Sequence, residues 1–113
     1  AAPGGLGLLA AQGLPHAPFD AAAMQALGFK VLHVQDIDFR SHCPTLLDCL
    51  TVLRDWSDRH PGHLPVVVSI NAKDAPLQDP AAVVPLPFDA AAWGALDAEI
   101  LAVLGPARLL RPD

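Results

Sequence analysis

Between Phe29 and Cys43 the chain gathers two histidines, two aspartates, an arginine, a serine and a cysteine. Set among these, His33 follows the apolar residues Val31 and Leu32, with Asp36 and Asp38 a few residues on. A carboxylate beside an imidazole holds its tautomer and supports the charged form, which suits general acid–base work near neutral pH. A histidine near a strand end is, taken alone, more often a satisfied core residue, and it is the two aspartates that shift the balance to the functional reading. A second polar group, Asn71-Ala-Lys73-Asp74, breaks off an apolar run. An ammonium at a strand end needs an anion, either a neighbouring aspartate or a substrate phosphate. Asn71 and Asp74 offer oxygens to a hard cation such as Ca²⁺, or hydrogen bonds to loop backbone. No C-x₂-C or H-x₃-H spacing is present, which argues against zinc.

The elements that must position these groups follow from periodicity. Residues 1–20 are rich in Gly and Pro and read as a loop-rich lead-in; His16, between Pro15 and Pro18, reads as a solvated loop residue. Asp20 can cap a short turn over Ala21–Leu27, closed by Gly28. Lys30–Val34 reads as a buried strand. Pro44 suits the first turn of a helix whose apolar stripe is Leu46, Cys49, Leu50, Leu53 and Trp56, stopped by Pro61-Gly62. Leu64–Ile70, with three consecutive valines, reads as a strand buried on both faces. A proline-punctuated loop follows, of a length that usually signals function or disorder. Asp89 then caps a helix carrying Trp93, Leu96, Ile100, Val103 and Leu104, ended by Gly105-Pro106. Ala107–Leu110 starts a third strand.

This is a β-α-β-α-β order, an α/β architecture with right-handed crossovers. In such a sheet His33–Asp38, Asn71–Asp74 and Asp113 converge on the edge where the strands end, with His42 nearby. His60 and His63 precede a strand and belong to the opposite, structural face.

Bulk properties narrow the classes. With 7 Lys and Arg against 12 Asp and Glu the formal charge is −5, which disfavours nucleic acid as a partner. At 52 % apolar residues the chain is too hydrophobic to be disordered, yet no run reaches the roughly 18 apolar residues of a transmembrane segment. Residues 1–11 lack the basic start of a signal peptide. The absence of an initial Met and the abrupt stop at Asp113 suit a piece of something longer. Cys43 and Cys49 are six apart: paired, they imply an oxidising compartment; unpaired, they are ordinary buried thiols. A bridge requires Cys43 to lie off the helix that holds Cys49.

Several of these stretches are also familiar together. Lys30-Val-Leu-His-Val-Gln-Asp-Ile-Asp-Phe-Arg-Ser-His-Cys-Pro44, Trp56-Ser-Asp58, His60-Pro-Gly-His-Leu-Pro-Val66 and Asn71-Ala-Lys-Asp74 resemble the Ca²⁺-dependent phosphoinositide-specific phospholipase C family of bacteria and fungi. So do Leu96-Asp-Ala-Glu-Ile100 and Arg111-Pro-Asp113, and the resemblance covers about residues 22–113. It implies a distorted TIM barrel, of which 1–113 is a single incomplete domain, with residues 21–113 forming βα units. It implies a phosphoric diester hydrolase or lyase that works with two histidines. One deprotonates the inositol 2-hydroxyl, which attacks phosphorus; the other protonates the diacylglycerol oxygen that leaves. His33 matches the second. Asp36, Asp38 and Lys73 would face phosphate or inositol hydroxyls, and Asn71 occupies the place of a Ca²⁺ ligand that is often Glu. The implied partner is a phosphoinositide lipid at a membrane surface, and the implied location is secreted or cell-surface, with Cys43 and Cys49 bridged.

The family's first histidine, its adjacent Asn and its upstream acidic pair have no counterpart in residues 1–29, since His16 is not followed by Asn. The chain therefore reads as an internal fragment, inert alone, because a barrel needs about 250 residues. Two alternatives share its features: a glycerophosphodiester phosphodiesterase-like enzyme that uses water as final nucleophile, and a non-catalytic relative kept as a binding or structural module.

Overall fold

The computed structural model describes residues 12–15, 18 and 20–112, so His16 and Asp113 lie outside the described residues. Its helices are α1 (Ala21–Gln25), α2 (Leu46–Arg59) and α3 (Ala90–Leu104), followed by a 3₁₀ turn over Pro106–Arg108.

Each helix begins where a side-chain oxygen can take an otherwise unpaired amide. Asp20 accepts from Ala23 N, and Asp89 accepts from Ala92 N. For α2 the cap is Thr45, whose Oγ1 accepts from Asp48 N at 3.1 Å and donates to the Asp48 carboxylate at 2.6 Å. Pro44 therefore sits one residue ahead of the cap, not in the first turn as expected. Such caps contribute about 1 kcal/mol each. Gly105 closes α3 with φ +73°, a conformation that costs glycine nothing.

A helix with one apolar stripe must bury it. Here α2 and α3 do so against each other: Leu46, Leu50 and Leu96 are buried, with Phe29, Val31, Ile100, Val103 and Leu104 packed around them. Phe29 reaches the start of α3 through stacked rings, 5.7 Å from Phe88, which in turn lies 5.1 Å from Trp93.

The expected β-α-β-α-β fragment of a TIM barrel is not there. Among the described residues no sheet forms, and β pairing is confined to two isolated antiparallel bridges, Lys30–Thr45 and Val34–Asp38. The reason is local competition. The segment read as the first strand folds back on itself: Val34 and Asp38 exchange both amide–carbonyl bonds, at 3.0 and 2.9 Å, and Val31 N donates to Pro44 O. Those backbone groups are thereby lost to a parallel neighbour. The three valines read as doubly buried are 53, 92 and 51 % exposed at Val66, Val67 and Val68, and no ladder holds them. The expected third strand is pre-empted by Pro106, which fixes the first residue of the 3₁₀ turn.

The helix pair is thus the core, and its cost of disruption can be stated. Leu50 is 3 % exposed and Leu47 is 51 % exposed on the same helix. Leu50→Ala is expected to lower unfolding free energy by about 2–5 kcal/mol. Leu47→Ala should cost less than about 1 kcal/mol, with urea denaturation as the check.

Candidate functional site

The polar residues after Leu32 stand on a tight turn. With Val34 and Asp38 paired, Gln35, Asp36 and Ile37 form a three-residue connection, and Asp36 adopts φ +62° at its centre. Aspartate is among the few non-glycine residues that enter this left-handed region readily. Its side chain is wholly buried, and Oδ2 accepts from Val83 N at 2.6 Å. This places Asp36 as an anchor between the turn and the proline-rich segment. Expected to face phosphate, it instead points inward, where a buried carboxylate is tolerated because it is hydrogen-bonded.

The other side of the turn is open. His33 Nδ1 lies 3.0 Å from Asp38 Oδ2, and both side chains are largely exposed, at 69 and 61 %. A carboxylate can only accept, so Nδ1 carries the proton and Nε2 is left for a ligand. His33 N also donates to Asp38 O, so backbone and side chain hold the same pair together.

Residues 72–77 close the site from the opposite side. Lys73 Nζ donates to the main-chain oxygen of His33 at 2.8 Å, and Gln35 Nε2 donates to Ala75 O at 3.1 Å. His33, Gln35, Lys73 and Asp74 are among the residues that line the resulting cleft of about 350 Å³. Of the two polar groups, His33 lines this cleft with Lys73 and Asp74, brought there by a hairpin turn and an extended loop and without a sheet, whereas Asp36, Asp38 and Asn71 are not among its lining residues.

Other residues are spent elsewhere. Asp74 Oδ2 accepts from Phe88 N at 2.8 Å and holds the chain leading into α3. His42 and Arg40 line a separate cavity with Asp20, Met24 and Phe39. Cys43 and Cys49 are bridged, with Cα atoms 5.3 Å apart, and Cys43 lies before the Thr45 cap, off the helix that carries Cys49. A loop this short confers about 2 kcal/mol through restriction of the unfolded chain.

A calcium site is not assembled by the described residues. Ca²⁺ takes six to eight oxygens. No group of three or more His, Cys, Asp or Glu is gathered among the described residues, the Asp74 carboxylate is engaged with Phe88, and Asn71 supplies one neutral oxygen.

One cluster lies outside the sequence expectations. Trp56 and Ser57, in the last turn of α2, meet His60 and His63 around the Pro61-Gly62 turn. The Trp56 ring stacks on His60 at 4.7 Å and lies 4.8 Å from the His63 ring. Ser57 Oγ is 2.7 Å from His63 Nε2. The signal available in sequence was the turn dipeptide, which reverses the chain onto the helix it ends.

The site thus holds an exposed imidazole oriented by a carboxylate, with an ammonium across the cleft. Comparison narrows the class: the family model for Ca²⁺-dependent phosphoinositide phospholipase C matches residues 1–113. The chain belongs to that family. Comparison with curated proteins and with solved structures returned no match.

Loss of the Asp36 anchor is expected to be felt throughout the turn. Asp36→Ala strands Val83 N and strains the left-handed centre, lowering stability by about 2–4 kcal/mol. Asp36→Asn, which keeps an acceptor and tolerates that conformation, should cost less; thermal unfolding of the two variants tests the order.

Proposed function

We propose that this chain carries the general-acid half of a phosphodiester-cleaving centre that acts on phosphoinositide lipids at a membrane surface. The observation that carries the reading is the exposed His33–Asp38 pair on the rim of a cleft shared with Lys73. With Nδ1 committed to Asp38, Nε2 of the protonated ring can donate to the diacylglycerol oxygen as its bond to phosphorus breaks. Asp38 holds the ring and offsets its charge. Lys73 has three N–H donors, of which the His33 carbonyl uses one, and the others are free to meet a phosphate oxygen. Asp36 holds the turn and takes no part in substrate contact. Calcium is the family's cofactor, and Asn71 alone does not make a site for it, so no step is assigned to the metal here. The Cys43–Cys49 bridge favours a secreted or cell-surface location. Among the described residues no helix is long and apolar enough to cross a membrane.

A second reading, a non-catalytic relative that binds without cleaving, is favoured by one feature. His33 is the one histidine among the described residues lining the cleft, and acid–base cleavage of this kind uses two. The glycerophosphodiester phosphodiesterase alternative differs in product, since it releases no cyclic inositol phosphate.

The test is turnover of phosphatidylinositol vesicles by the protein with its natural flanking sequence. His33→Ala should lower turnover at least about a hundredfold, and Asp38→Asn should lower it less, with cyclic inositol phosphate as the product of the parent protein. Undiminished turnover in His33→Ala would remove His33 from the mechanism. Vesicle binding without turnover in the parent would establish the second reading.

A further inference from the structure

The cluster at the end of α2 has the parts of an activated hydroxyl. Leu64 O lies 2.6 Å from His63 Nδ1, and a carbonyl can only accept. The proton of the neutral ring is therefore on Nδ1, and Nε2 presents a lone pair. Ser57 Oγ, 2.7 Å from Nε2, must donate its hydrogen to it. Nucleophile, base and orienting acceptor stand in the order that activates serine in hydrolytic enzymes, with a backbone carbonyl in the orienting place. The imidazolium formed on proton transfer lies against Trp56, whose ring face attracts a cation. His60 is fixed by its own bond, Nδ1 to Trp56 O at 2.8 Å, and stacks on the indole. Ser57 is half-buried and remains open to a small reagent.

We propose that Ser57 is a nucleophile, activated by His63, that accepts acyl or phosphonyl groups from activated esters, at a site separate from the His33 cleft. In the step, Oγ attacks the electrophilic phosphorus or carbonyl carbon. The new bond to Oγ forms as the bond to the leaving group breaks, the leaving group departs with its electron pair, and the hydroxyl proton passes to His63 Nε2.

An alkyl fluorophosphonate is the probe, with fluoride as the leaving group. Intact mass and peptide mapping should show one adduct, on Ser57. The chain supplies its own comparators: Ser41, whose hydroxyl donates to a backbone carbonyl, Cys43 O, and Ser69. Ser57 should label at least about a hundredfold faster than either, within the range general bases provide. Ser57→Ala should abolish the adduct without change in thermal unfolding, and His63→Gln should slow it at least about tenfold, toward the low end of what a general base contributes. His60→Gln, which removes a stacked ring and not the base, should leave the rate within about threefold, well under a general-base effect. Labelling of Ser57 no faster than Ser41, or a rate indifferent to His63→Gln in a folded variant, would overturn the proposal. Should His63→Gln unfold, the ratio of Ser57 to Ser41 labelling in the parent protein decides.

Discussion

The carboxylate of Asp36, buried against the amide of Val83, ties together two stretches of chain that no sheet connects. A buried charge is tolerated only when hydrogen-bonded, and this one sits at the centre of a turn whose backbone few residues other than aspartate or glycine enter. The turn in turn fixes the spacing of Val34 and Asp38, hence the approach of Asp38 to His33. The proline-rich segment held by Val83 is the one that begins just after Lys73, so both walls of the cleft refer back to the same anchor. Asp74, capping the amide of Phe88, repeats the device further along. Position in this region is set by side-chain contacts to the backbone, where larger domains would use ladders of backbone bonds.

The two long helices depend on a different kind of interaction, and that difference decides what is legible in the sequence. Their apolar stripes are local, as are the caps at Thr45 and Asp89, so residue order alone is enough to place them. Strands are another matter, because a strand is defined by its neighbour. Val66–Val68 has the composition of a buried strand and, lacking a ladder among the described residues, stands exposed. Lys30–Val34 has alternative partners close by in sequence, from Asp38 for Val34 to Thr45 for Lys30, and the shorter loop closes first at lower entropic cost.

The site is legible in part for the same reason. His33, Asp38 and Lys73 are identifiable from residue type, since their neighbours in sequence are also their neighbours in space or share one cleft. The role of Asp36 is not, because nothing in Gln35-Asp36-Ile37 says which aspartate turns inward. Ser57 and His63 escape because a Pro-Gly reversal makes contacts of residues six apart that helical periodicity would set on different faces.

Lys73 reaches the main-chain oxygen of His33 and not its imidazole. Position 33 thus has two separable parts: its backbone belongs to the architecture, while its side chain stays exposed, where the proposed mechanism would use it. Any residue in that place would still receive the ammonium and close the cleft. A substitution of the histidine side chain would therefore leave the shape around it in place, and under the proposed mechanism it would separate holding a ligand from cleaving it. The same separation would let the chemistry return without the fold having to be found again.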